Sequence, residues 1–175
     1  MHKLMAKMRA QEAGLLTPAF RHIERVEDSE AVVHDAVQSF MQPVIIKPIG
    51  WGSSVGVSVL TGYAPVLNAV KKLFIEGATG VLIEEYIRGK EATVGVVEGL
   101  RGETLYVLPA VEIIPPQGDF FSYGAKYSGK TREVCPGNFS RVATEELQRV
   151  AKVIHRALGL RHYSRSDFIV APKGV

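Results

Sequence analysis

The sequence predicts an α+β protein of two lobes, each built mainly from antiparallel sheet with helices on its outer face. Three observations carry this reading. Short β-branched runs alternate with segments of helical apolar spacing. The runs in the middle of the chain follow one another across turn signals, "RGK" and "GLRG", as hairpin strands do. A chain of 175 residues, 46% of them hydrophobic, can bury a core for one domain or two small lobes.

The elements follow in order. "KLMAKMRAQEAG" has helical spacing and a glycine stop, and "TPAFRHIERV" reads as a short extended piece after Pro18. Ser29 is a candidate cap for the helix "EAVVHDAVQSF". "PVIIKPI" is a β-branched run closed by Pro48, and "GVSVL" is a second strand, so the two predict a hairpin around "GWGSSVG". "APVLNAVKKLF" is a helix with an apolar face. "GVLIEEYI", "EATVGVVEG" and "ETLYVLPAVEI" are successive strands. The stretch "PPQGDFFSYGAKYSGKTREVCPGN" reads as irregular, and its length and its aromatic and lysine content predict a covering loop rather than a linker. "TEELQRVAKVIHRALG" is a helix with Thr144 as candidate cap and Gly159 as stop, and "HYSRSDFIV" is a final strand.

Composition excludes several classes. No apolar run approaches the roughly 18 residues of a membrane span, and "MHKLMAKMRAQEAG" lacks the apolar core and cleavage site of a signal peptide. A single cysteine, Cys135, excludes an internal disulfide framework and suits a reducing cytosol. The net charge of +3 is mild, and the lysines and arginines are scattered without aromatic interleaving, which argues against nucleic acid as a partner.

The chemistry concentrates in three places. In "KPIGWGSSVG" a lysine at a strand end meets a glycine-serine loop, and such a loop approaches a polyanion closely while N–H and hydroxyl groups donate to it. The lysine precedes the glycines, so this is not a Walker loop. The loop alone fits a phosphate cradle or an ordinary hairpin with a surface lysine equally well. "EEYIRGKEATV" sets Glu84 and Glu85 at one strand end and Glu91 at the start of the next, a place suited to an adenosine. In "RSD", Arg165 and Asp167 alternate along a strand and so face one side. They would pair a cation for developing charge with a hard oxygen ligand for Mg²⁺, or form a solvated ion pair. The histidines have no metal-like spacing, and Cys135 has no identifiable base beside it. Glu112 fits either an orienting group for a site lysine or an ordinary strand carboxylate, and Trp51 is read as packing the loop.

Five segments in order, "MHKLMAK", "PVIIKPIGWGSSVG", "VLIEEYIRGKEATV", "SYGAKYSGKTREVCPG" and "ALGLRHYSRSDFIV", together resemble the D-alanine-D-alanine ligases of the ATP-grasp superfamily. The resemblance implies an ATP-grasp fold, with residues 1–87 in the first lobe and 88–175 in the second. It implies use of ATP and Mg²⁺, with Mn²⁺ as an alternative, to phosphorylate one D-alanine, whose acyl phosphate a second D-alanine attacks. The product feeds peptidoglycan precursor synthesis in the cytoplasm, and a homodimer of the full-length protein is compatible with the family. Lys3 and Lys47 resemble the lysines that hold ATP phosphates. Ser53 is similar to the serine that positions substrate and covering loop. Glu84 and Ile87 resemble adenine-side contacts, and Glu91 the ribose ligand. Lys126 would reach the transferred phosphoryl group, and Tyr127 would close the site toward Ser53. Arg165 resembles the arginine that stabilises the tetrahedral intermediate, and Asp167 a Mg²⁺ ligand.

The departures from the family are specific. The family's N-terminal domain, with its glutamate for the first D-alanine, and its glutamate-x-asparagine metal motif have no counterpart here. The expectation is therefore a ligase fragment, inactive by itself. Two alternatives stand beside it: another ATP-grasp carboxylate-amine ligase, or a nucleotide-binding module without catalysis. "AKY" favours D-alanine over a hydroxy-acid acceptor.

Overall fold

A computed structural model describes residues 2–115, 131–172 and 174–175. The chain divides into two compact units: Met1–Lys7 with Pro18–Tyr86, and Met8–Thr17 with Ile87–Val175. The first helix, α1 (Lys3–Glu12), therefore contributes its opening turn to one unit and its remainder to the other. The division at 87/88 drawn from the sequence kept α1 whole in the first lobe. The second half clusters elsewhere because Ala10 and Leu15 pack with Val150.

The first unit is a four-stranded sheet in the order β1 (Phe20–Ile23), β4 (Val81–Glu85), β2 (Val44–Pro48), β3 (Ser58–Leu60). All three pairings are antiparallel. Two helices, α2 (Ser29–Ser39) and α3 (Tyr63–Ile75), bury Val33, Ala36, Val66 and Val70 against Ile23, Val44, Ile46, Val81 and Ile83. Successive strand residues face opposite sides, so Leu82 and Glu84 point away from these helices. On that second face Leu82 packs with Ile49, Phe20 and Leu4 of α1.

The second unit is a five-stranded sheet whose described pairings are all antiparallel. β5 (Lys90–Glu98) is central, with β9 (Tyr163–Val170) along one side and β6 (Leu105–Val107) and β7 (Val111–Ile114) in succession along the other. β8 (Arg132–Val134) pairs with β7. The long helix α4 (Arg141–Ala157) buries Leu147 and Ala151 against Ala92, Val94, Val96 and Leu105.

Four local expectations change. Ser29 is not a cap: a 3₁₀ turn, Val26–Asp28, runs into α2, and the Ser29 N–H already donates to the Val26 carbonyl. Its Oγ is instead buried without a hydrogen-bond partner. Thr144 is not a cap either, because α4 begins earlier. Ser140 Oγ accepts from the Ala143 N–H at 3.2 Å, while Thr144 Oγ1 donates to the Ser140 carbonyl at 3.0 Å. "ETLYVLPAVEI" is not one continuous strand. From Val96↔Val107 to Thr93↔Val111, three steps along β5 meet four along its neighbour, a one-residue bulge where Pro109 has no N–H to give the ladder. Finally, "REV" within the supposedly irregular stretch is β8.

Candidate functional site

The second face of the first unit gathers charge. β2 and β4 set Lys47 opposite Leu82 and Ile45 opposite Glu84, so Lys47 and Glu84 are diagonal neighbours on one face. Lys47 Nζ lies 2.7 Å from Glu84 Oε2. The other oxygen, Oε1, lies 3.3 Å from Lys7 Nζ, which also stands 5.0 Å from the centre of the Phe20 ring. Glu84 is 3% exposed. Lys3, one helical turn before Lys7 and on the same side of α1, donates to the Pro48 carbonyl at 2.7 Å and to the Trp51 carbonyl. Three ammonium groups thus converge around one buried carboxylate.

The charge balance has a measurable signature. Burial holds Lys3 below the ordinary lysine range, the Lys47 ammonium adds to this, and Glu84 works against it. Lys7 is also lowered, first by burial, with Glu84 opposing and Lys47 adding. Both cations are short of compensating negative charge, the condition an incoming anion relieves.

The loop beside these lysines is shaped by its own residues. Ser53 and Ser54 both have positive φ, 51° and 59°, and the Val55 N–H donates to the Gly52 carbonyl at 3.0 Å. That is the φ pattern of the mirror-image turn that matches the twist of a hairpin. Gly56 follows at φ 72°, and a Cβ there would stand 2.8 Å from Leu73 Cδ2 and 3.1 Å from the Trp51 ring. Trp51 packs against the core beneath α3 while its carbonyl receives Lys3. Ile87, the other residue read as an adenine-side contact, is half-buried in the turn after β4 and falls in the second unit.

In the second unit, β5 and β9 pair Glu91 with Ile169, Thr93 with Asp167 and Gly95 with Arg165. Glu91, Thr93, Arg165 and Asp167 consequently share one face, opposite the α4 side where Ala92, Val94 and Val96 are buried. Thr93 Oγ1 donates to Asp167 Oδ1 at 2.8 Å, and Arg165 Nε is 3.9 Å from the same oxygen. Among the described residues, no three His, Cys, Asp or Glu side chains are placed to hold a metal ion. Glu112 lies on the α4 side. It pairs with Lys90 at 3.0 Å and accepts from the Asn138 N–H at 2.9 Å, and so orients no lysine on the Glu91 face. Lys126 and Tyr127 lie outside the described residues. The residue that sequence reasoning missed is Lys7, whose only signal was its four-residue spacing from Lys3.

Residues 10–175 match the model of the family described as D-ala D-ala ligase C-terminus. The chain belongs to the D-alanine-D-alanine ligase family. A ligase of this family from Pelobacter propionicus is 35% identical over 99% of this chain and 53% of its own length. The chain spans about half the length of the curated relatives it matches. Among solved structures, the VanG D-Ala:D-Ser ligase from Enterococcus faecalis superposes with a TM-score of 0.83 and 30% identity, over 99% of this chain and 49% of that one. D-alanyl-alanine synthetase A from Vibrio cholerae gives the same TM-score at 27% identity, over 99% and 52% respectively. The ligase-family fold is therefore ATP-grasp, in agreement with the two antiparallel sheets. Among the described residues no helix is long and apolar enough to cross a membrane.

Proposed function

We propose that this chain carries the ATP-binding lobes of a cytoplasmic D-alanine-D-alanine ligase that serves peptidoglycan precursor synthesis. The observation that carries the reading is the excess of cations, Lys3, Lys7 and Lys47 around the single carboxylate of Glu84, beside a glycine-serine turn. Such a cluster suits a polyphosphate. Lys3 and Lys47 would hold ATP phosphates, and the Ser53 hydroxyl would donate to a phosphate or substrate oxygen. Glu84 and Ile87 would flank adenine, and Glu91 would accept from ribose. ATP supplies the phosphoryl group that activates the first D-alanine carboxylate. Arg165 would stabilise negative charge when the second amine attacks, and Asp167 would give one oxygen to Mg²⁺. Mg²⁺ commonly takes one or two carboxylates and completes its shell with phosphates and water, so a single aspartate fits it in part. Lys126 and Tyr127 keep the roles that the family resemblance gives them.

Titration calorimetry with Mg-ATP tests the reading. Lys47→Ala should weaken binding by about 1.5 to 3 kcal/mol, the scale of a charge-assisted hydrogen bond. Equal affinity in both proteins sinks the assignment. Phosphate release measured with D-alanine and, separately, D-serine as acceptor resolves the acceptor, since the solved relative from Enterococcus faecalis is titled a D-Ala:D-Ser ligase.

A further inference from the structure

Glu84 divides its two oxygens between two cations of different exposure. Lys7, on Oε1, has a side chain 10% exposed and is backed by the Phe20 ring, whereas Lys47, on Oε2, is 24% exposed. The buried ammonium has no open path to a ligand, so its effect must pass through the carboxylate. Resting on the nucleotide reading above, we propose that Lys7 is a positioning residue that offsets the charge of Glu84 and so leaves the charge of Lys47 available to an anionic ligand.

The physics is a count of charges at short range. A carboxylate facing Lys47 alone cancels it at the distance of a ligand phosphate, and the pair presents a dipole. A second ammonium on the other oxygen restores net positive charge without adding a competitor at the surface. α1 provides that second cation because residues three and four apart share a helix side, which sends Lys3 to the loop carbonyls and Lys7 to Glu84. Glu85, on the opposite face of β4, accepts from the Ala19 N–H and does not take part.

The test is Mg-ATP affinity of the full 175-residue chain with Lys7→Met, Lys7→Arg, Glu84→Gln and the Lys7→Met/Glu84→Gln double variant, with Lys47→Ala as reference. Lys7→Met should weaken binding about tenfold, as loss of one charge at a charged site does. Lys7→Arg, which keeps the charge, should stay within about twofold. Glu84→Gln should recover most of the loss when combined with Lys7→Met, a rescue that a merely structural ion pair would not give. Undiminished binding by Lys7→Met, alongside loss in Lys47→Ala, overturns the proposal and spares the nucleotide reading. An equal loss with and without Glu84→Gln also overturns it, because Lys7 would then act independently of Glu84. Undiminished binding by Lys47→Ala overturns the nucleotide reading and this inference with it. Should circular dichroism show Lys7→Met unfolded, Lys7→Gln, which keeps a donor without charge, carries the same expectations.

Discussion

At the scale of single residues, Lys3 is the most informative group. Its carbonyl partners fix its position without neutralising it, and burial with Lys47 nearby lowers its affinity for a proton. Bound phosphate would reverse that, so nucleotide binding should draw protons from buffer at alkaline pH. Affinity should also fall at a lower pH than an ordinary lysine's ~10.4 would give. Calorimetry in two buffers of different ionisation enthalpy measures the uptake; identical heats in both would contradict it. The stability sign follows from the same direction. Between the lowered native value and about 10.4, the unfolded chain holds more protons than the native one, so the contribution of Lys3 to stability rises with pH. Lys47, Ser53 and Glu91 were legible in the sequence because each stands in a short motif with its own chemistry. Lys7 was not, because its partners Phe20 and Glu84 come from strands that meet it only in the fold.

At the scale of elements, periodicity identified the helices and the hairpin, and local hydrogen bonding decided their ends. α4 shows this best. "TEEL" offers an acidic first turn, yet the backbone enters helix at Arg141, with Ser140 in extended geometry accepting from Ala143. Ser140→Ala should therefore cost about 1 kcal/mol of stability, the usual worth of an N-cap. Thr144→Ala, inside the first turn, should cost clearly less. Urea denaturation of both variants ranks them, and the reverse order would restore Thr144 as the cap. The bulge at Leu108–Ala110 and the buried, unpartnered Ser29 hydroxyl were invisible to pattern reading. The first depends on the register of two strands against a third, and the second on a 3₁₀ turn that makes a side-chain cap unnecessary.

At the scale of the whole molecule, the order of motifs along the chain made the ATP-grasp class readable, since five segments in register fix a topology that no single one does. The membership of α1 was not readable, because its spacing is continuous while its apolar residues serve two cores. Each core draws on its own unit: Val33, Val66 and Ile83 in the first, Val94, Leu147 and Ala151 in the second. Scanning calorimetry should accordingly give a calorimetric enthalpy larger than the van't Hoff value, the mark of more than one cooperative unit. Equality of the two would show a single transition. The Trp51 arrangement carries a different lesson for anyone who would engineer this chain. The same residue whose ring is seated in the first core hands its carbonyl to Lys3. Substitutions at Leu73 or Gly56, chosen only to improve thermal tolerance, will therefore surface in screens as altered nucleotide affinity, and stabilised variants must be sorted by ligand response before they are sorted by melting point.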